Sequence, residues 1–252
     1  MTNKLTQLID DENFTHYFQP IYDLDRLESI GYEALLRTEL YDSPREAFRD
    51  AIKGDRLLEL EEASIRKVVE QFAQLNSKHQ KLFINVYPST IVNEHFKDCV
   101  KRLVQEVGVS FGQVVFEIKE AEVAQVMSTL SDRIKELRNE GFLIAIDDFG
   151  RGATSIYGVV ELNPSILKMD RYFARDLSSA TSIQKKRLVE SMVSFCNNSG
   201  IDIILEGIEK PKELEVAKQI GVRKGQGFLL GKPVPFEQVE TLKVKHWDSI
   251  KK

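Results

Sequence analysis

Two aspartates stand side by side in this sequence, Asp147 and Asp148, at the end of the apolar run Phe142 to Ile146 and just ahead of Phe149-Gly150-Arg151-Gly152. Adjacent carboxylates repel and raise each other's pKa unless a cation sits between them, so the pair either lies in a solvated strand-end turn or wants a metal. Similar donors recur at or near the ends of other apolar segments: Glu33, Asn85, Glu117 and Glu206, with a lysine, Lys168, among them. Donors that are all oxygen, without His or Cys, select Mg2+ or Mn2+ over zinc. The carboxylates and one amide carry enough negative charge for two ions, and a two-ion site clamps the attacking and leaving oxygens of an in-line phosphoryl displacement. Lys168 among these acids either holds and polarises the attacking water or forms a salt bridge to a strand-end acid. Taken singly, each acid also suits a helix cap or a solvated turn.

Periodicity indicates the elements that must position them. Apolar runs predict strands at His16 to Tyr22, Leu27 to Arg37, Lys81 to Val86, Gln113 to Ile118, Phe142 to Ile146, Ser165 to Met169, Ile201 to Leu205 and Gly225 to Leu230. The short joint Asp23 to Arg26 pairs the first two as an antiparallel hairpin, and Pro20 makes the first an edge or irregular strand. Helical spacing fills the intervals. Between Pro44 and Leu75, Leu57, Leu58, Leu60, Ile65, Val68, Val69, Phe72 and Leu75 mark a core face, with Glu59, Glu61, Glu62, Arg66 and Lys67 on a solvated one. A helix from about Glu122 to Asn139 is closed by Gly141 and another, Ile183 to Asn197, by Gly200; Phe236 to Ile250 reads as a covering helix with Trp247 on its apolar side. Eight strands alternating with helices predict an α/β fold, a TIM-like (β/α)8 barrel with one antiparallel strand near the N-terminus, and a single domain over 1–252. On such a barrel Glu33, Asn85, Glu117, Asp147, Asp148, Lys168 and Glu206 fall on the rim where barrel enzymes keep their active sites; Gln226 joins them only if the eighth strand starts late.

Composition narrows the chemistry further. The 252 residues carry a formal net charge of −4 and 42% apolar residues, enough for a substantial core and without a basic field to attract a nucleic-acid polymer. Cys99 and Cys196 lie in separate helical segments with no zinc-site spacing, which suits a reducing compartment. No stretch approaches the roughly 18 apolar residues of a membrane span and the N-terminus lacks a signal-peptide core, so a cytoplasmic location is expected. His16, His79, His95 and His246 are scattered and form no metalloprotease-like pair.

Motifs in order identify a family. Glu33-Ala34-Leu35, Phe83-Ile84-Asn85, Glu117-Ile118-Lys119-Glu120, Asp147-Asp148-Phe149-Gly150, Lys168-Met169-Asp170-Arg171, Glu206-Gly207-Ile208-Glu209 and Gly225-Gln226-Gly227-Phe228 together resemble the EAL domain, the bacterial cyclic di-GMP phosphodiesterase, from about Phe14 to Pro235. The resemblance implies metal-dependent hydrolysis of cyclic di-GMP to linear pGpG, with Mg2+ or Mn2+, two ions per site, and a homodimer. It implies that Glu33, Asn85, Glu117 and Asp147 hold one ion, and Asp147, Asp148 and, through water, Glu206 the second. Lys168 would orient or deprotonate the attacking water, Glu209 and Gln226 would support it, and Gln19 and Arg37 would contact the dinucleotide. Glu120 would brace the loop after Asp148, and Asp170 would sit beside Lys168.

Departures from the family pattern cluster after the aspartates. Arg151 stands where threonine is usual and Ala153 where an aromatic is; Lys119-Glu120-Ala121 replaces Thr-Glu-Ser, and Arg223 stands where Asp is frequent. No ligand is lost, so activity is expected. The competing expectation is a catalytically silent cyclic di-GMP receptor or protein-binding regulator on the same fold.

Overall fold

The computed structural model describes residues 4–75, 77–119, 127–150 and 156–242. A short helix, α1 (Lys4–Ile9), precedes the hairpin of β1 (Thr15–Asp23) and β2 (Glu28–Arg37). Asp23 builds the hairpin turn, its carboxylate accepting the backbone N–H groups of Asp25 and Arg26 at 3.0 and 2.9 Å. Helices α2 (Pro44–Lys53), with Ser43 as its N-cap, and α3 (Leu57–Gln74) lead to β3 (Lys81–Asn85). After it come α4 (Pro88–Ile91), α5 (Phe96–Glu106), β4 (Val114–Lys119), α6 (Met127–Glu140), β5 (Leu143–Phe149), α7 (Ile156–Leu162) and β6 (Ile166–Met169). The remainder runs α8 (Arg171–Ala174), α9 (Ile183–Ser199), β7 (Asp202–Leu205), α10 (Pro211–Gln219), β8 (Lys224–Gly225), β9 (Val234–Pro235) and α11 (Val239–Leu242).

Strands β2 to β8 pair in parallel, each with the next, and β1 closes the ring by pairing antiparallel with both β2 and β8. The barrel expected from the sequence is therefore present, with its single reversed strand. One strand is displaced from expectation: of Gly225 to Leu230 only Gly225 is in a strand. The eighth strand is the two-residue β8, and the chain turns at once because Gly227 packs flat on the backbone of Ile208, where a Cβ would lie 2.2 Å from the carbonyl oxygen. Gln226 thus follows its strand and sits at the C-terminal rim. Pro20 is accommodated by a gap. On the edge of β1 away from β2, β8 pairs only with Tyr22 and Asp23 and β9 only with Tyr17 and Phe18, so the missing N–H falls between them.

Side chains alternate across each strand, and two apolar layers result. Outward residues such as Leu82, Ile84, Phe116, Ile144, Leu167 and Leu205 join the helices in the main core. Inward residues Ile21, Phe83, Val115, Ala145, Ile166 and Ile204 fill the barrel as a separate cluster. Two residues further along β3 to β6, and just past β7, stand Asn85, Glu117, Asp147, Lys168 and Glu206. The polar rim is the next layer of the barrel packing.

Helix α3 departs from the expected split of its faces. Glu61 is buried beside Leu60, Ser64 and Ile65, not solvated. It is retained there because its Oε1 accepts the backbone N–H of Tyr87 at 2.9 Å. Cys99 and Cys196 both lie in helices, as expected. Gly200 caps α9 with φ 69°, and Gly141 follows α6 with φ 106°. Glu120, Arg151, Ala153 and Trp247 lie outside the described residues. Among the described residues no helix is long and apolar enough to cross a membrane.

Candidate active site

Lys168 is the centre of the polar layer. It is fully buried, and its Nζ lies 2.7 Å from Glu117 Oε1, 2.8 Å from Glu206 Oε1, 3.1 Å from Asp147 Oδ1 and 3.3 Å from Glu33 Oε2. Those contacts join four parallel strands, β2, β4, β5 and β6, to the residue that follows β7. Amides tie the gaps: Asn85 Nδ2 donates to Glu33 Oε1 at 3.0 Å and to Glu117 Oε2 at 3.4 Å, and Gln226 Nε2 donates to Glu33 Oε2 at 2.7 Å.

Four carboxylates around one ammonium leave an excess of negative charge in a buried place. Burial raises Lys168's cost as a cation, yet Asp147, Glu117, Glu206 and Glu33 outweigh it and push its pKa well up. In this arrangement Lys168 is a proton-bearing cation and not a base. Glu117 and Glu206 are pushed well above the ordinary carboxylate value, by burial first, against the pull of Lys168. Asp147 goes the other way: burial raises it, but Lys168 and the backbone N–H of Asp148 lower it further.

The paired aspartates share the cleft because β5 bulges. Ile146 pairs with Leu167 and Phe149 with Met169, so three steps on β5 oppose two on β6. Asp148 takes the left-handed conformation, φ 56°, as the inserted residue. Without it, strict alternation would send Asp148 outward into the apolar layer; with it, both aspartates line the same cavities and Phe149 returns to the core. Burial and the charge of Asp147 raise the pKa of Asp148.

The cleft has two lobes. Glu33, Leu35, Asp147 and Asp148 line both a cavity of about 530 Å3 and one of about 250 Å3. The larger lobe contains Arg37, whose guanidinium lies 5.4 Å from the centre of the Tyr17 ring. The smaller contains Gln19, Asp170, Glu206, Glu209, Gln226 and Phe228. Gln19 Nε2 is held by the carbonyl of Gly231 at 3.2 Å. Asp170 caps α8, accepting the N–H of Tyr172 at 2.8 Å. Glu209 is exposed on the rim and is not among the acids that touch Lys168. Arg223 pairs with Asp25 at 2.9 Å on the exposed hairpin turn.

Several lining residues were not singled out in the sequence. His16, Ser64 and Glu61 form the buried polar wall of the larger lobe, with His16 Nε2 2.8 Å from Ser64 Oγ. Glu61 sits four positions before Ile65 and Ser64 four before Val68, on the buried side of α3, which was the available signal. Glu213, on α10, is almost wholly buried; its carboxylate accepts the N–H groups of Asp176, Glu209 and Lys210 at 2.9, 3.1 and 3.0 Å and so pins the rim loop after β7.

The donor set suits hard divalent cations: oxygen only, rich in charge, with Glu117 Oε1 and Asp147 Oδ1 buried and lacking an aligned hydrogen bond. As the side chains stand, no three His, Cys, Asp or Glu residues among those described are arranged to hold an ion, because the carboxylates are gathered on the Lys168 ammonium instead.

An acidic, lysine-centred layer at the C-terminal rim of a barrel stands where barrel enzymes carry their active sites. A family model described as the EAL domain matches residues 2–233, and the chain belongs to that family. It is 28% identical over 247 residues to the cyclic di-GMP phosphodiesterase PA2567 of Pseudomonas aeruginosa, covering 95% of this chain and 42% of that protein. The chain thus spans less than half the length of that relative. The structure of Klebsiella pneumoniae BlrP1 in a calcium and cyclic di-GMP complex superposes with a TM-score of 0.82 at 27% identity, over 94% of this chain and 59% of that one. The PaMucR phosphodiesterase, in a cyclic di-GMP complex, gives 0.84 at 24% identity over 94% and 98%, and at that identity shows a shared fold.

Proposed function

We propose that the chain is a metal-dependent phosphodiesterase that hydrolyses cyclic di-GMP to linear pGpG, acting as one catalytic barrel in the bacterial cytoplasm. The observation that carries this reading is the buried layer of Glu33, Asn85, Glu117, Asp147 and Glu206 around Lys168, with Asp148 turned into the same cleft by the β5 bulge. Relatives named as cyclic di-GMP phosphodiesterases support the substrate, and the calcium and manganese complexes of Klebsiella pneumoniae BlrP1 support a divalent cation.

Glu33, Asn85, Glu117 and Asp147 would hold one ion, and Asp147, Asp148 and Glu206 a second. Bound ions would supply a water of lowered pKa and a counter-charge for the phosphoryl oxygens. The chain's own groups orient the rest. Lys168 keeps its proton for as long as the four acids face it, and would orient the attacking water only once they turn away. Drawing those acids onto cations would release it from their field. Water attacks phosphorus and the bond from phosphorus to the ribose 3′ oxygen breaks; one proton of that water goes to the leaving oxygen, giving a 3′-hydroxyl, and its oxygen stays on the 5′-phosphate. Gln226 fixes Glu33, and Glu213 fixes the loop bearing Glu206 and Glu209. Arg37, stacked near Tyr17, presents a planar fork suited to a phosphate or guanine edge, and Gln19 faces the other lobe. A homodimer would cover the exposed Ile156, Tyr157 and Val160 of α7.

Incubation of the purified chain with cyclic di-GMP and Mg2+ or Mn2+, with chromatographic separation of products and a Glu33→Ala control, tests the reading. Metal-dependent pGpG, absent with chelator and in the variant, supports it. Intact cyclic di-GMP with folded protein and either ion overturns it. The second reading, a receptor that binds cyclic di-GMP without turnover, is favoured by the gathering of the carboxylates on Lys168, and binding without product would establish it.

A further inference from the structure

Beyond the smaller lobe of the cleft lies a third cavity, of about 720 Å3, that the reaction above does not use. The two share Asp170, Arg171, Gly207 and Glu209, which form a ridge between them. The ridge is tight: Gly207 has φ 71°, and a Cβ there would lie 2.3 Å from that of Arg171. A compact cyclic ligand in the active cleft stays on one side of it, whereas an opened chain can pass over.

The far side carries an aromatic face and both signs of charge. Arg171, Arg175 and Lys210 line it with Asp170, Glu209 and Glu213. Lys210 is paired with Asp176 at 3.0 Å and Glu213 is engaged by three backbone N–H groups, so the cations this wall offers a ligand are the exposed Arg171 and Arg175. Tyr172 is 62% exposed, which is unusual for a ring that could pack, and Lys185 Nζ stands 4.3 Å from its centre. The Arg175 side chain is 82% exposed, with only a 3.9 Å contact to Asp176. An exposed ring flanked by guanidinium and ammonium groups suits a nucleobase with a phosphate beside it.

We propose that this cavity is a second nucleotide subsite, which takes the 5′-phosphorylated end of a linear guanine dinucleotide. The assignment rests on the phosphodiesterase reading for its choice of ligand. Opening the ring supplies the two features the subsite recognises. It frees one nucleotide to reach over the ridge, and it converts a singly charged diester into a terminal monoester of roughly −1.5 to −2 charge. The subsite therefore binds product in preference to the cyclic substrate.

The test is equilibrium titration of pGpG, GpG and cyclic di-GMP into the metal-free protein, wild type and the variants Tyr172→Ala and Arg175→Glu. Both positions are exposed, so folding is retained and can be checked by circular dichroism. The expected result is that pGpG binds at least about tenfold more tightly than GpG, and that each variant lowers pGpG affinity by about tenfold (about 1.4 kcal/mol). Cyclic di-GMP binding should change less than twofold. Equal binding of pGpG and GpG, or variants that bind pGpG as the wild type does, would overturn the subsite. Equal loss of cyclic di-GMP binding would also overturn it, by making these residues part of the main cleft. Because no turnover is measured, the phosphodiesterase reading can fail in its own assay while the subsite stands, and the reverse.

Discussion

His16 should make the protein sensitive to mild acid. Burial, then the charges of Lys67 and Arg37, lower its pKa from 6.5 to about 3, and its Nε2 is engaged with Ser64 Oγ at 2.8 Å. The unfolded chain takes up a proton as the pH drops below 6.5 while the folded chain does not. Its contribution is therefore fully present above 6.5 and is lost as the pH falls toward 3. The slope approaches about 1.4 kcal/mol per pH unit, and from pH 7 to pH 5 the loss is about 2 kcal/mol. The comparison to make is urea unfolding of wild type and His16→Leu at both pH values. Other titrating groups act in both proteins and cancel in the difference. The wild type should lose about 2 kcal/mol more than the variant between pH 7 and pH 5, even though the variant starts from lower stability with Ser64 unpaired. Equal losses would refute the argument and mean that His16 is protonated in the fold.

Two further outcomes follow from buried charge. Lys168→Met leaves four carboxylates without their cation, and a loss of roughly 3–5 kcal/mol is expected at pH 7.5. That deficit should shrink by pH 5 as Glu117 and Glu206, already raised by burial, take up protons; a deficit that does not depend on pH would count against the charge argument. Glu213→Ala removes the acceptor of three N–H groups, with an expected cost of roughly 2–4 kcal/mol. Faster hydrogen exchange at Asp176, Glu209 and Lys210 should accompany it, and unchanged exchange there would show that the loops are held by other contacts.

Most of the barrel was legible because strand residues obey a period of two. Phe83 and Asn85, Val115 and Glu117, Ala145 and Asp147 each show an apolar residue two places before a polar one, and the structure stacks them as successive layers. The rim residues were legible from their place at or near the ends of apolar runs, which this layering explains. What the runs could not show is where backbone geometry departs from the regular strand. The bulge that brings Asp148 beside Asp147 depends on a positive φ that Asp tolerates but does not announce. The short eighth strand depends on the contact of Gly227 with Ile208, which no local pattern encodes. Glu61 was assigned to water by its charge alone, although its place on α3 matched the buried face. The wall of the larger lobe comes from α2 and α3 as well as the strands, so only tertiary packing could assemble it.

The ammonium at the centre of the acid layer also bears on how such a barrel can diverge. Lys168 neutralises part of the acidic ring from within the fold. A substitution that removes one of those acids relieves repulsion among the others as well as removing an attraction to the ammonium. One acid of the layer can therefore change while the lysine keeps partners among the rest, so the scaffold tolerates variation at the layer that its chemistry would not.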